Sequence, residues 1–285
     1  MKIWRCCISF ILIFLIIFSL SCDYNIQADT PTPSMGLEVE FLDVGQADSI
    51  LIRVNGSTML IDAGTNSGAS ELVKELKAKN ISKFDVVIGT HPHEDHIGGL
   101  DAVIKEFEVG SIYMPRVSST TKTFSDVLIA IQDKGFNVTT PVDGTSFLLG
   151  NAQCTLLAPI SEKYTDTNNH SIVIRLVYGN TSFIFMGDAE TISEEEMLTK
   201  NYTLDSDVIK VGHHGSKSST SDEFLQAVSP RYAVISVSED NEYGHPEKEI
   251  LEKLNAAGIN IYRTDLQGDV TFISSGTDIT VSTER

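Results

Sequence analysis

Positive charge is scarce in this sequence. Its 285 residues hold 21 lysines and arginines against 39 aspartates and glutamates, a net charge of −18. Proteins that grip nucleic acid without sequence preference present a basic face, because phosphate contacts supply most of that affinity. The deficit argues against stable binding of long DNA. It leaves room for an enzyme that meets phosphate only through metal ions. Cysteine is scarce as well, with four residues, and no internal repeat is visible. Long apolar runs are missing too: the N-terminal stretch from Ile8 to Leu20 covers thirteen residues, short of the roughly 20 that cross a bilayer.

That stretch follows Lys2 and Arg5 and ends in "SLSC", the layout of a secretory signal peptide over residues 1–22. Ser21 before Cys22 resembles a bacterial lipobox, in which the cysteine becomes a lipidated N-terminus. The expectation is an exported lipoprotein, anchored in the cell membrane and facing outside; a secreted protein and an uncleaved N-terminal anchor are the alternatives. Export would remove Cys6 and Cys7, commit Cys22 to lipid and leave Cys154 without a disulfide partner. The fold must then stand on its core, which 41% hydrophobic content can supply. Losing two bases and no acids with residues 1–21 takes the charge from −18 to about −20. Residues 23–36, "DYNIQADTPTPSMG", are polar, Pro-bearing and without period, as a tether would be.

From Leu37 the pattern alternates as β-structure does. "LEVEFLDV" and "DSILIRV" predict strands, and Asn55-Gly56 predicts a hairpin into "STMLIDAG". Residues 69–79 have helical spacing, with Leu72, Val73 and Leu76 on one side. "FDVVIGT" is an apolar strand. Helices are predicted near 100–107, 124–134 and 193–200, from Ser221, and over 248–257, the last with Pro246 just ahead of it. Strands are predicted in "SIYMP", "SFLLG", "QCTLLA", on both sides of "GN" at 179–180, in "DVIKVG" and "YAVISV", and in three short C-terminal runs. Strand-rich halves with interspersed helices predict two sheets between helical layers, a single α/β domain over residues 37–285.

The chemistry concentrates in "THPHEDHIGG", residues 90–99. His91, His93, Asp95 and His96 on a loop after a strand let alternate side chains converge on one point. Neutral imidazoles and a carboxylate suit zinc, or manganese or iron with more oxygen ligands. His91 and His93 suit one ion, Asp95 and His96 a neighbour, while Gly98 and Gly99 let the backbone turn tightly into the next helix. The chain has seven histidines. The other four, His170, His213, His214 and His245, all fall at predicted strand ends or in the loops beside them. Asp188 follows the apolar strand Phe183 to Met186, placed to ligate or to cap the next helix. Asp43, Gln46 and Asp48 read equally as site residues or as turn formers. "GSKSSTSDEF", residues 215–224, reads as a capping box of Thr220 with Glu223, as an anion-binding helix start, or as both.

"FLDVGQADSILI", "LIDAG", "THPHEDHIGGL", "NNHSIVIRL", "FMGDAE", "VIKVGHHGS" and "YGHP", in that order over residues 41–246, resemble the metallo-β-lactamase superfamily. Within it they are similar to the hydrolase domain of ComEC-type competence proteins. The resemblance implies a four-layer αββα sandwich with a two-metal site at one edge of the sheets. It implies Asp188 as the carboxylate bridging both metals, Asp62 as support for the metal loop, and His213 or His214 as a later ligand, with His213 the first choice. His245 would complete the site or bind substrate. The chain departs from the pattern at "TNNHS", where many members carry a third histidine for the first metal; Asn168 or His170 would have to serve. The channel segments of whole competence proteins are not in this sequence, so DNA transport is not implied.

The expected function is metal-dependent hydrolysis with two divalent ions, zinc or manganese. Such ions bring water from a pKa of about 15.7 to near 7, so a nucleophile is available without a strong base. Asp95 would orient it, and His214 or His245 would stabilise charge or protonate the leaving group. The resemblance favours a phosphodiester substrate, either nucleic acid or a phosphorylated cell-surface group. A β-lactam or lactone ring is the alternative, and a non-catalytic metal-binding surface lipoprotein a further one.

Overall fold

The structure, a computed structural model, describes residues 36–285. The expected signal peptide, Cys22 and the expected tether up to Met35 lie outside the described residues. The chain begins with β1 (Leu37–Phe41), β2 (Ile50–Val54), β3 (Ser57–Ile61), α1 (Ala69–Ala78) and β4 (Lys83–Ile88). It continues through α2 (Glu94–Ile97), α3 (Leu100–Glu106), β5 (Glu108–Tyr113), α4 (Lys122–Asp133) and β6 (Val138–Thr139). The second half holds β7 (Ser146–Leu149), β8 (Ala152–Ala158), β9 (Val173–Tyr178), β10 (Thr181–Phe185), α5 (Thr191–Thr199) and β11 (Val208–Lys210). It ends with α6 (Asp222–Val228), β12 (Tyr232–Ile235), α7 (Lys248–Ala256), β13 (Asn260–Arg263), α8 (Thr264–Gln267), β14 (Val270–Ser274) and β15 (Ile279–Thr283). Among the described residues no helix is long and apolar enough to cross a membrane.

Two sheets result. One has eight strands in the order β15-β14-β1-β2-β3-β4-β5-β6, the other seven in the order β13-β12-β11-β10-β9-β8-β7. Strict alternation makes them a sandwich. In β2, Ile50, Ile52 and Val54 face the other sheet, while Leu51 faces the outer helices. β10 does the same, with Phe183 and Phe185 inward and Ile184 outward. Between the sheets the aromatic rings interlock: Phe272 stands edge-on to Phe41 at 5.9 Å and to Phe183 at 6.2 Å between centroids. Outside the first sheet, Leu76 of α1, Leu100 and Ile104 of α3 and Val127 of α4 cover Leu60 and Val87. Outside the second, Met197 of α5, Phe224 of α6 and Leu254 of α7 cover Ile184 and Ile209. This is the expected αββα arrangement. Cys154 is a buried residue of β8, with its thiol pushed up to about 12 by burial.

Each sheet is half antiparallel and half parallel. β3, β4 and β5 run parallel in the first, and β10, β11, β12 and β13 in the second. The loops leaving the C-terminal ends of parallel strands are where α/β folds gather their chemistry. Here those loops carry Asp62, residues 89–96, Asp188, His213, His214 and residues 236–245.

Local details differ from the sequence reading in three places. Glu94–Ile97 coil into one helical turn, so Asp95 and His96 project from a helix start instead of a loop. Gly98 and Gly99 have ordinary negative φ; their role is close approach, because a Cβ on Gly98 would lie 2.2 Å from Asn66 N and one on Gly99 2.3 Å from Ala63 O. The cap of α6 is Ser221, which accepts from Phe224 N at 3.3 Å, not Thr220. Thr220 has φ +58, and its N–H and that of Ser221 donate to Glu194 at 2.5 and 2.9 Å. The anion at this helix start is therefore the protein's own.

Glu194 is fully buried, and burial pushes its carboxyl up against the pull of those N–H groups. Glu194→Ala would orphan two N–H groups at once. Urea denaturation should show a loss of about 2–3 kcal/mol, with Glu194→Gln recovering part of it.

Candidate metal centre

Four loops bring the predicted residues together. The 89–96 segment leaves β4, Asp188 follows β10, and His213 and His214 follow β11. Residues 236–245 follow β12. Asp188 is placed by Gly187, which takes φ +53 and packs against Thr90 and Ser171, and by its own N–H, which donates to Ser171 Oγ at 3.0 Å. His213 and His214 are both left-handed, with φ +48 and +52. For non-glycine residues that costs about 1–2 kcal/mol each. Such strain is typical of segments shaped for function.

The two oxygens of Asp188 divide the centre. Oδ1 faces His96 Nε2 at 3.2 Å and His214 Nε2 at 3.6 Å. Asp95 Oδ2 completes that group, 3.2 Å from His214 Nε2 and 3.6 Å from His96 Nε2. Oδ2 faces His91 Nε2 at 3.7 Å and His213 Nε2 at 3.8 Å, and His93 Nδ1 lies 3.0 Å from His91 Nε2. Two sets of ligand atoms, Asp95–His96–Asp188–His214 and His91–His93–Asp188, each fall within 4.8 Å.

These residues fit divalent cations. His96 Nε2 and Asp188 Oδ1 are buried and have no hydrogen-bond partner, although they face each other. The far sides of the rings are already committed, as metal-ligating histidines require. His96 Nδ1 pairs with Asp62 Oδ2 at 2.8 Å, and His214 Nδ1 with Ser236 O at 2.9 Å. In both rings Nδ1 is the donor, and Nε2 is turned to the carboxylates, where it can ligate once its proton is displaced. Asp62 also accepts from Thr90 N at 2.8 Å and Thr90 Oγ1 at 2.7 Å, which locks the start of the metal loop.

Charge tells the same story. Burial works against a proton on His96, yet Asp188, Asp95 and Asp62 hold it well above the usual imidazole range. His214 is raised as well, Asp188 and Asp48 outweighing burial. His91 falls well below, through burial and then the charge on His96. Burial opposes ionisation of Asp95 and Asp188, but His96 above all keeps both below the usual carboxylate range. A proton on His96 does for these acids what a metal cation would do better.

His214, rather than the first-choice His213, joins the four-residue group. His213 stands on the other side, with Nδ1 3.1 Å from Ser218 Oγ and 3.5 Å from Glu190 Oε1. Asn168 lies beside it, Nδ2 3.4 Å from both ring nitrogens and Oδ1 buried without a partner. His170 packs its ring edge-on against Tyr164 at 5.0 Å and enters neither ligand set. His245 is edge-on to His213 at 5.6 Å and stacks on the exposed Tyr243 at 5.7 Å, so this pair lines the open side. Of the three residues left open in "DVGQAD", Asp48 is buried in the centre. Gln46 accepts from Ser238 N at 3.2 Å, and Asp43 pairs with Arg285 at 2.7 Å. Lys210, which the sequence offers only as one of a few bases for a nucleic-acid strip, is fully buried 2.8 Å from Asp48; a charge inside the apolar run "DVIKVG" was the available signal.

Comparison with known proteins agrees with this geometry. The profile of the metallo-beta-lactamase superfamily matches residues 42–239. The chain belongs to that superfamily. It is 31% identical to ComE operon protein 3 of Bacillus subtilis over 253 residues, covering 82% of this chain and 33% of that protein. It is 33% identical to the competence protein ComA of Neisseria gonorrhoeae, covering 84% and 33%. The chain thus spans about a third of the length of these curated relatives. Among solved structures, a metallo hydrolase from Ignicoccus hospitalis superposes with a TM-score of 0.57 at 16% identity, covering 84% of this chain and all of that one. The diiron β-hydroxylase CmlA of Streptomyces venezuelae gives 0.57 at 18%, covering 86% and 55%. Both show the superfamily's fold, and the histidine–aspartate cluster is a candidate site for divalent metal ions.

Two measurements follow. Asp62→Asn should leave the fold intact and weaken metal affinity about 10–100-fold, read by competition with a chromogenic chelator. Metal uptake by chelator-stripped protein should release protons, since the ions displace those on His96 and His214; affinity therefore falls as pH falls. Calorimetry in buffers of different ionisation heat would show it, and buffer-independent heats would contradict it.

Proposed function

We propose that this chain hydrolyses phosphodiester bonds at the shared-carboxylate centre. The observation that carries this reading is the division of Asp188: one buried carboxylate lies in two candidate ligand groups, as paired-metal hydrolysis would require. Two divalent ions, zinc or manganese, would be held by His91, His93 and Asp188 and by Asp95, His96, Asp188 and His214. When bound they supply an activated water and offset charge on the phosphoryl oxygens.

The protein's own groups do the rest. Asp95 is the acid of the centre that reaches solvent, with 32% of its side chain exposed against 3% for Asp188. Its carboxylate would accept a hydrogen bond from the attacking water and set its direction. His245 is kept below the usual imidazole range by burial and by His213 and His214, so it meets substrate as an uncharged ring. With His213 and Tyr243 it forms the wall against which the leaving group lies. His214, committed at both nitrogens, is a ligand in this reading and not the proton donor.

Relatives named for competence, and one named recombination protein 2 in Haemophilus influenzae at 29% identity, support a nucleic-acid or other phosphodiester substrate. The acidic charge disfavours stable binding of long DNA. Short strands or a phosphorylated cell-surface group fit better. In this reading lipid on Cys22 anchors the protein in the membrane, with the centre outside the cell.

The chain from residue 36, loaded with zinc or manganese, should cleave bis-p-nitrophenyl phosphate and leave a chromogenic β-lactam intact. Asp95→Ala should lower turnover by about 10²–10⁴-fold, and Asp188→Ala should abolish it. Lactam turnover alone would move the protein to carbonyl chemistry. Tightly bound metal with silence on every ester and lactam tried would favour a non-catalytic role.

A further inference from the structure

Beside the two ligand groups stands a third. Asp48, Asp62 and His96, all buried, also bring ligand atoms within 4.8 Å of one another. The proposed hydrolysis uses His96 as a ligand and Asp62 as its support, and gives Asp48 no part. This third group differs from the other two in one respect: a lysine reaches it. Lys210, on the same face of β11 as the inward Val208, has no solvent exposure. Its Nζ lies 2.8 Å from Asp48 Oδ2 and donates to Val211 O at 3.0 Å.

Asp48 is fixed in place by its backbone. Its N–H donates to Asp95 O at 3.1 Å, and its carbonyl accepts from Gly64 N at 2.9 Å. Its carboxylate lies behind the ligand rings, Oδ1 3.5 Å from His214 Nδ1 and Oδ2 3.9 Å from His96 Nδ1. A carboxylate so placed and so buried requires a positive partner. Either an ion joins it or the protein supplies the charge.

We propose that Lys210 is the resident cation of this third group. It holds Asp48 behind His214 as a non-coordinating carboxylate, and so limits the centre to two metal ions. Lys210 is a positioning residue in this account; it touches neither substrate nor the reacting atoms. An ammonium suits the task because its charge sits on a fixed stem and cannot be lost to a chelator.

The test counts metal in the full-length protein, so it stands apart from the phosphodiester reading. Wild type equilibrated with excess zinc and then desalted should retain two ions per chain by elemental analysis. Lys210→Met, which removes the charge and keeps the bulk, should retain a third. Lys210→Met combined with Asp48→Asn removes both charges and should return the count to two. Lys210→Met that is folded, holds two ions and binds each as tightly as wild type would overturn the proposal. So would three retained ions in wild type, a result that needs no variant to fold. If Lys210→Met does not fold, Lys210→Gln takes its place: three retained ions support the proposal, and two bound as tightly as in wild type overturn it.

Discussion

A carboxylate buried among imidazoles, with one oxygen turned to each side, is what the rest of this molecule is arranged around. Asp188 belongs to the seven-stranded sheet, whereas His91, His93, Asp95 and His96 belong to the eight-stranded one. Cations held there would therefore draw ligands from loops of both sheets. Taking Asp48, Asp62 and Asp188 out of water together is costly unless positive charge comes with them. Lys210, protons on His96 and His214, and divalent ions are the means available. The left-handed turns at Gly187, His213 and His214 are affordable because the charged groups they aim at one another have nowhere better to go.

That arrangement separates roles that look alike along the chain. Among the histidines, those with Nδ1 tied to a backbone or carboxylate oxygen present Nε2 inward. His213 and His245 lie ring edge to ring face towards the open side, and in the proposed reading they meet substrate. Among the acids, Asp62 and Asp48 work from behind, Asp188 from the middle and Asp95 from the mouth. In the proposed reading, depth in the cleft separates these roles more than residue type does.

Much of this was legible in the sequence. Alternation in "DSILIRV" and "STMLIDAG" required strands with two different faces, and the Asn55-Gly56 turn fixed how they pair. His-x-His-x-Asp-His after an apolar strand has few uses other than metal. Four things were hidden. His213 and His214 are neighbours, and which one joins the four-residue group depends on two positive φ angles that no propensity announces. The helical turn at Glu94–Ile97 is too short for periodicity to register. Lys210 reads as an ordinary polar break in a strand, because its partner Asp48 is far away in sequence. Thr220 and Ser221 are both good caps, and only the buried Glu194 decides between them. In each case a long-range contact settles what local sequence leaves open.

The first sheet is not closed by its neighbours in sequence. β14 lies against β1, with Val39 opposite Phe272, and β15 lies beyond it. Phe272 also fills the middle of the aromatic cluster between the sheets. A growing chain can form the metal loop and its parallel strands early, yet β1 keeps a bare edge, and Phe41 lacks its cover, until the last turn has been synthesised. Assembly of the interior is thus a late event, timed by residues near the far end of the chain that carry no chemistry themselves. A shortened tail would act as a lesion of the innermost layer, and the ligand loops would lose their footing without one of their own atoms being altered.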